Sequence, residues 1–374
     1  MLLSNKTVAI VGGGPGGLVL ARILQLKGLN VKVYERDNNK DVRQQGATLD
    51  LHEESGLEAM RRANLINEFN ANFRPNAGKI KILDQNTVVK MNDHEIESDT
   101  ENSRPEIDRA PLREILIQSL NSDTIVWDSH FVSMEQRGDG WFMYFKNGST
   151  AYADIRKYIT DIKPIYSGIT IVEGNVYDAA KNAPKLWELV QGGKIFALGN
   201  EQSIILSAKG DGSLSFYTGC KVEENWVKES GIDFSNKQQI IDWFKTTFAS
   251  WSKQWEELFA SDELWFVPRP QYHFPLDQTW TSLPNLTMLG DAAHRMPPYA
   301  GEGVNQAMQD AFELAKNLTN DQFNDMLSAI VHYEQQMQSR ASQVTKDTLD
   351  STELIHSANG LEQILQVFQQ VRED

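Results

Sequence analysis

One run near the N-terminus restricts this chain more than any other: TVAIVGGGPGGLVLARILQLKGLNVKVYERD, residues 7–37. Thr7–Val11 is short, apolar and rich in β-branched residues, the pattern of a buried strand. Leu20, Ile23 and Leu24 follow with helical spacing up to Gly28, and Val31, Val33 and Tyr34 begin a second strand. Between the first strand and the helix, Gly12, Gly14 and Gly17 supply G-x-G-x-x-G. The first glycine lets the chain turn, the second admits a pyrophosphate close to the backbone, and the third lets helix and strand pack closely. The helix start carries partial positive charge toward phosphates. Glu35 ends the second strand about 20 residues on, where an acid bonds a ribose diol. Strand, loop, helix, strand and acid together read as a dinucleotide site; the alternative is a glycine-rich turn with no ligand.

A second glycine-rich loop, GDAAHRMPPYAGEGVN (Gly290–Asn305), lies between the apolar LTML and the amphipathic QAMQDAFELAKNL. LTML reads as a strand ending at Leu289, with Asp291 at its carboxyl end. The following helix has Ala307, Ala311, Leu314, Ala315 and Leu318 on one face. A second helix start beside the first loop suits a cofactor with a second anionic or electron-accepting end, and an isoalloxazine ring meets that description. Asp291 is positioned to accept from a ribityl hydroxyl.

The set GGGPGG, YERD, LREIL and GDAAHRMPPYAGEGVN resembles the FAD-dependent aromatic hydroxylases of the single-component class. Within that class, ATLDLHEESGLEAM, DTIVWD, FPLDQTW and YEQQM look most like the tetracycline-modifying monooxygenases. The resemblance implies that Glu35 holds the adenosine ribose and that Arg36 lies near the adenine. It places Asp50 and Arg113 toward the flavin, Asp291 at the ribityl–phosphate region, and Gly301, Gly303, Val304 and Asn305 against the ring. Pro298 would line the flavin–substrate cavity, and Arg43 would receive a nicotinamide phosphate. A solvated surface residue is an equal reading of Arg43; a helix-flank charge is the other reading of Arg113.

Aligned on the same family, the substrate contacts differ. A pocket glutamine becomes Glu173, a pocket arginine Lys194 and a pocket histidine Ser215, with Phe196 and Tyr217 nearby to fill the gap. A carboxylate only accepts where an amide also donates, and an ammonium lacks the guanidinium's planar fork. A further departure lies in STAYADIRKYITDIKP. Relatives carry an apolar run, Gly-Asp or Asn-Gly, then Ser and Arg; here Asp154 passes directly to Ile155, so a strand and turn of roughly ten residues are missing. A deletion and a reduced cofactor site are both open readings.

Other chemistry is weakly represented. The single cysteine, Cys220, excludes an internal disulfide framework and a cysteine-based metal site. The histidines have no ligand spacing, no metal is expected, and there is no nucleophile elbow. His294 reads as structural rather than as a base beside Asp291. The Trp/Phe set in IIDWFKTTFASWSKQWEELF reads as packed helix rather than an aromatic cage. A net charge of −15 argues against nucleic acid. The absence of a long apolar stretch or signal layout suggests a cytoplasmic protein without a membrane span, expected as a monomer.

The expected architecture is α/β: a doubly wound Rossmann-like FAD-binding domain (about 1–75, 103–165 and 272–318) with an inserted β-sheet substrate domain (about 76–102 and 166–271). KIKIL, GITIV, KIFALG, SIILSA and LSFYTG should form a sheet roofing the flavin, and residues 319–374 a helical segment joining both domains. The implied reaction has NADPH or NADH reduce FAD, after which molecular oxygen supplies one atom to a flat polycyclic or phenolic small molecule, with tetracycline-type antibiotics, and hence resistance to them, leading. The cofactor carries the chemistry, so no catalytic side chain is expected. A flavin-dependent dehydrogenase or oxidase without oxygen insertion, and a binding protein that has lost the flavin, are the alternatives.

Overall fold

A computed structural model describes residues 2–42, 46–95, 104–138, 140–145 and 155–373. The chain opens with β1 (Thr7–Val11), α1 (Pro15–Leu26) and β2 (Asn30–Tyr34). Next come β3 (Leu49–Asp50), β4 (Ile80–Asp84), β5 (Val89–Asn92), β6 (Glu106–Ile107), α2 (Arg109–Gln118) and β7 (Ile125–Val126). The hairpin β8 (Phe131–Arg137) and β9 (Gly140–Phe145) precedes the long β10 (Ile165–Val176) and α3 (Pro184–Val190). Then follow β11 (Lys194–Gly199), β12 (Gln202–Ala208), β13 (Leu214–Lys221), α4 (Lys237–Thr247) and β14 (Phe266–His273). Three longer helices complete the order: α5 (Gly303–Thr319), α6 (Met326–Ile355) and α7 (Gly360–Glu373).

β1, β2 and β7 form a parallel sheet. Parallel strands need a crossover, and α1 provides it, burying Leu20, Ile23 and Leu24. The helix ends where Gly28, at φ +74, donates to the Gln25 carbonyl and Leu29 to that of Leu24. Around this sheet, α1, α2, α5 and α6 enclose one core.

The other large sheet has seven strands in the order β14-β10-β13-β12-β11-β4-β5. All pairs are antiparallel except β11–β4. β11 and β12 are joined by Asn200 and Glu201 at φ +52 and +59, the two left-handed residues of a type I′ hairpin turn. Alternation along the strands sends Phe216 and Cys220 to one face and Ser215, Tyr217 and Gly219 to the other. The first face is sealed by α3, α4 and the segment Trp251–Phe259, with Trp255 fully buried. The Trp/Phe set therefore packs as core. It is not one helix: α4 stops at Thr247, and a 3₁₀ turn starts at Lys253 under a Ser252 cap. KIKIL, GITIV, KIFALG, SIILSA and LSFYTG all fall on strands of this sheet.

One expected strand is absent. Thr287–Leu289 forms no ladder, and β1 is the edge of its sheet, paired only with β2 among the described residues. Parallel strands are ordinarily covered on both sides, yet Thr7 and Ala9 are exposed. Both segments line the same cavity, so open space lies between two stretches of backbone that a further strand would bridge. Without that neighbour LTML has nothing to pair with. The expected gap falls between Asp154 and Ile155, and residues 146–154 on its N-terminal side lie outside the described residues. Among the described residues no helix is long and apolar enough to cross a membrane.

α6 ties the parts together. Tyr333 donates to the Met288 carbonyl at 2.9 Å, and Glu334 accepts from Thr287 at 2.6 Å. At its end His356 contacts the Glu201 carbonyl through Nδ1 (3.0 Å) and the Tyr299 hydroxyl through Nε2 (2.9 Å). His356 is fully buried, which disfavours its charged form and pushes its pKa from 6.5 down to about 4. The unfolded chain therefore takes up this proton before the folded one does. The stability it contributes is complete above pH 6.5 and is lost as pH falls toward 4, by roughly 3 kcal/mol. Urea unfolding at pH 7 and pH 4.5 checks this: His356→Gln should show a smaller drop between the two, and an unchanged drop would refute it.

Candidate functional site

The G-x-G-x-x-G loop contains three different solutions to one packing problem. Gly12 sits at φ +112 as the chain leaves β1, its amide donating to the Tyr34 carbonyl. A Cβ on Gly17 would lie 2.2 Å from the Gly12 carbonyl oxygen, so only glycine allows α1 to start so close to β1. A Cβ on Gly14 would meet nothing within 4 Å, because that side opens into the cavity. Pro15 then starts α1 at a position whose amide has no helical partner to lose. Glu35 is buried, and its carboxylate accepts from the amides of Gly13 (2.6 Å) and Asp37 (3.1 Å). Arg36 is exposed. Arg113 turns to Asp37 (3.3 Å), the Lys40 carbonyl (2.5 Å) and the Trp127 ring, while Arg109, one turn earlier, lines the cavity. Arg43 lies outside the described residues.

The second loop is held by one buried carboxylate. Asp310 on α5 has no exposed surface. Its Oδ2 accepts from the Gly290 amide (2.8 Å) and meets His294 Nε2 (2.6 Å); its Oδ1 accepts from Arg340 of α6 (2.5 Å). Burial alone would raise its pKa, but His294 and Arg340 hold it below the ordinary carboxylate range, and the same pairing overcomes burial to raise His294. His294 is thus structural, and its partner is Asp310 rather than Asp291. From the other side Arg156 donates to the carbonyls of Ala292 (3.0 Å) and Ala293 (3.1 Å) and lies 3.7 Å from the centre of the Phe274 ring. Asp291, at the head of this turn, is exposed on the cavity wall with Pro298, Gly301, Gly303 and Val304. Asn305 is fully buried, accepting from the His52 amide (2.9 Å) and donating to the Asp50 carbonyl (2.9 Å), so that Asp50 is brought to the same wall.

The seven-stranded sheet roofs this wall with Lys194, Phe196, Ile205 and Tyr217. Three of its polar side chains already have partners. Lys194 pairs with buried Glu106, and buried Glu173 pairs with Arg269. The Tyr217 hydroxyl accepts from the Ala47 amide at 3.3 Å. Ser215 is buried, and its hydroxyl has no partner among the described residues. Glu106, Arg109, Arg156, Arg269 and Asp310 are the site residues that sequence reasoning missed. Arg109 carried a signal, since it precedes Arg113 by one helical turn; the other four act through contacts formed only by folding.

The cavity encloses about 1310 Å³ and runs from Gly12 and Gly14, past Asp50 and Arg109, to Asp291, Gly303 and Tyr217. That exceeds the roughly 300–1,000 Å³ of small-ligand pockets and accommodates a dinucleotide with a second molecule. Two helix starts and an open glycine backbone on one wall fit the anionic cofactor FAD.

A family model described as an FAD binding domain matches residues 5–140 and 279–348, more than half of the chain. The chain belongs to this family. Monooxygenase penA of Penicillium thymicola is 26% identical, with 96% of this chain and 98% of the relative covered. Their alignment spans 430 positions, more than the 374 of this chain, so the relative has segments lacking here. Among solved structures, Klebsiella pneumoniae HpxO complexed with FAD and uric acid superposes with a TM-score of 0.74 at 18% identity, covering 100% of this chain and 94% of that one. Tetracycline destructase Tet(55) superposes with a TM-score of 0.72 at 16% identity, covering 94% and 90%. The relatives are monooxygenases, and this chain is an enzyme of the FAD-dependent class.

Replacing Asp310 by Ala should cost roughly 3–5 kcal/mol, because it leaves the buried His294 and the Gly290 amide without their acceptor and removes one partner of the half-buried Arg340. Chemical denaturation measures this, and a loss below about 1 kcal/mol would show that the loop is held by other contacts.

Proposed function

We propose that this FAD-dependent monooxygenase uses NADPH or NADH as reductant and inserts one oxygen atom into a flat polycyclic or phenolic substrate, tetracyclines being the leading candidate. The observation that carries the reading is the continuity of the cavity, which joins the starts of α1 and α5 to one face of the seven-stranded sheet. FAD, when bound, accepts a hydride from the nicotinamide nucleotide and activates molecular oxygen for transfer. The chain's own residues bind and orient. Gly12, Gly14, Gly17 and the α1 amides would receive the pyrophosphate, with Glu35 and Arg36 at the adenosine end, Arg113 toward the flavin and Arg43 at the phosphate of the nicotinamide nucleotide. Asp291, Asp50 and the segment Gly301–Asn305 would hold the ribityl chain and ring. Pro298 and the roof residues Glu173, Lys194, Ser215 and Tyr217 would enclose the substrate and keep water out.

The same reading divides the chain into a cofactor unit (about 1–75, 103–165 and 272–318), a substrate unit (about 76–102 and 166–271) and a joining helical segment (319–374). The substrate class draws support from the HpxO complex with uric acid, a flat heterocycle, and from the fold of Tet(55). The roof modifies it. With Glu173 and Lys194 in internal ion pairs, Tyr217 remains on the cavity face to contact a substrate oxygen, which favours a planar molecule over one needing a bidentate arginine.

Two experiments test the reading. Asp291→Ala should fold normally yet bind FAD roughly ten- to a hundredfold more weakly, the value of a hydrogen bond to a charged group; flavin fluorescence titration measures this, and equal affinity would make Asp291 an ordinary helix-start acid. FAD-loaded enzyme with NADPH should bleach tetracycline absorbance and add one oxygen atom to its mass. Consumption of NADPH with tetracycline intact would discard that substrate but keep the class, whereas failure to take up FAD would discard the whole reading.

A further inference from the structure

The site chemistry described so far leaves the buried His52 without a role. His52 follows β3 and lies between two carboxylates from different parts of the chain. Its Nε2 is 3.0 Å from Asp50 Oδ2 and its Nδ1 is 3.3 Å from Glu302 Oε1. A carboxylate only accepts, so both ring nitrogens donate only if both carry protons, and that species is the imidazolium. The surroundings leave little freedom for another arrangement. The His52 amide donates to Asn305, and Asn305 donates back to the Asp50 carbonyl, clamping residues 50–52 to the first turn of α5. Next to Glu302, a Cβ on Gly301 would stand 3.1 Å from Asp50 Oδ1, so the glycine loop and Asp50 are in direct apposition.

We infer that His52 is a positioning residue: its imidazolium bridges Asp50 to Glu302 and thereby holds the Asp50 wall against the loop that opens α5, so that cofactor affinity depends on the proton it carries. This rests on the FAD reading above. Without that proton, two carboxylates would face each other across the entrance to a cavity that has to accept an anionic cofactor. With it, the three groups carry a net charge of −1 instead of −2.

Burial disfavours the imidazolium, and the guanidinium of Arg104, 3.9 Å from Asp50 Oδ2, also opposes it; the two carboxylates prevail and raise the His52 pKa to about 9. Lys194 acts on Asp50, lowering its pKa, and buried Glu106 is neutralised by that same lysine. A group whose folded pKa is raised contributes fully below its unfolded value of 6.5 and loses that contribution as pH rises through about 9.

The test is the FAD dissociation constant of the full chain by fluorescence titration from pH 7 to 10, for wild type, H52Q and E302Q. The wild type should bind with constant affinity up to about pH 8 and severalfold more weakly at pH 10, with the weakening setting in near pH 9. H52Q should bind at least tenfold more weakly at pH 7.5 and show no such step. Any titration of the flavin itself is common to both, so the difference isolates His52. E302Q keeps the ring and removes one partner, so its step should move to lower pH. Wild-type affinity in H52Q, or a wild-type pH step in H52Q, would overturn the inference. If wild type binds no FAD, the cofactor reading fails by itself. The bridge is then read from the apo protein, where the difference in thermal midpoint between wild type and H52Q should shrink steadily from pH 6.5 to about pH 9; a constant difference would overturn it.

Discussion

The cavity wall built by the second glycine loop depends on the Asp310 carboxylate. It is the point where the loop after Leu289, the body of α5 and the middle of α6 meet, and it meets them with no water-exposed surface. A buried charge is tolerable only when paired and hydrogen-bonded. Asp310 has a cation on each side and a backbone donor besides, which fixes its orientation and, through Gly290, that of Asp291. Arg156 completes the arrangement by accommodating the carbonyls of the Asp291–His294 turn. The exposed Asp291 is therefore aimed by a hidden structural acid.

Against that anchored wall, the first glycine loop is set by close approach. Gly17 lies on the Gly12 carbonyl, and a Cβ on Gly16 would lie 2.6 Å from the Ala307 carbonyl oxygen, so α1 touches both β1 and α5. Bringing two helix starts to one cavity concentrates unpaired amides where anionic groups are to be held. The arrangement persists although β1 is a sheet edge with open space beside it. The helices, rather than a further strand, carry the contact between the two loops, and α6 substitutes for lateral pairing by bonding Thr287 and Met288 directly.

The roof follows a different logic. Charged residues on a cavity-facing sheet would ordinarily be read as ligand contacts, and Glu173 and Lys194 were read so from the sequence. Each is paired within the protein, to Arg269 and Glu106. Their partners sit 96 and 88 residues away, on strands whose adjacency no local pattern announces. Sequence periodicity can assign such a residue to the cavity face of a strand; whether its charge is available there depends on what the neighbouring strand and loop bring opposite it.

The sequence by itself determined the elements whose cause is local. The β1–α1–β2 unit, its three glycines and Glu35 were legible because turn geometry, close packing and helix polarity act within about 30 residues of chain. Five of the seven strands of the roof and the packed Trp/Phe segment were legible because alternation and helical spacing report burial directly. Tertiary structure alone decided what depends on non-local partners. LTML has every local property of a strand and is not one, because a strand exists only if another lies beside it to take its hydrogen bonds. His294 stands three residues from Asp291 in sequence but is paired with Asp310. His52 gained two carboxylate partners, one of them 250 positions away in the second glycine loop. Local propensity is a property of the chain, whereas the charge state and availability of a buried side chain are properties of whatever folding places against it.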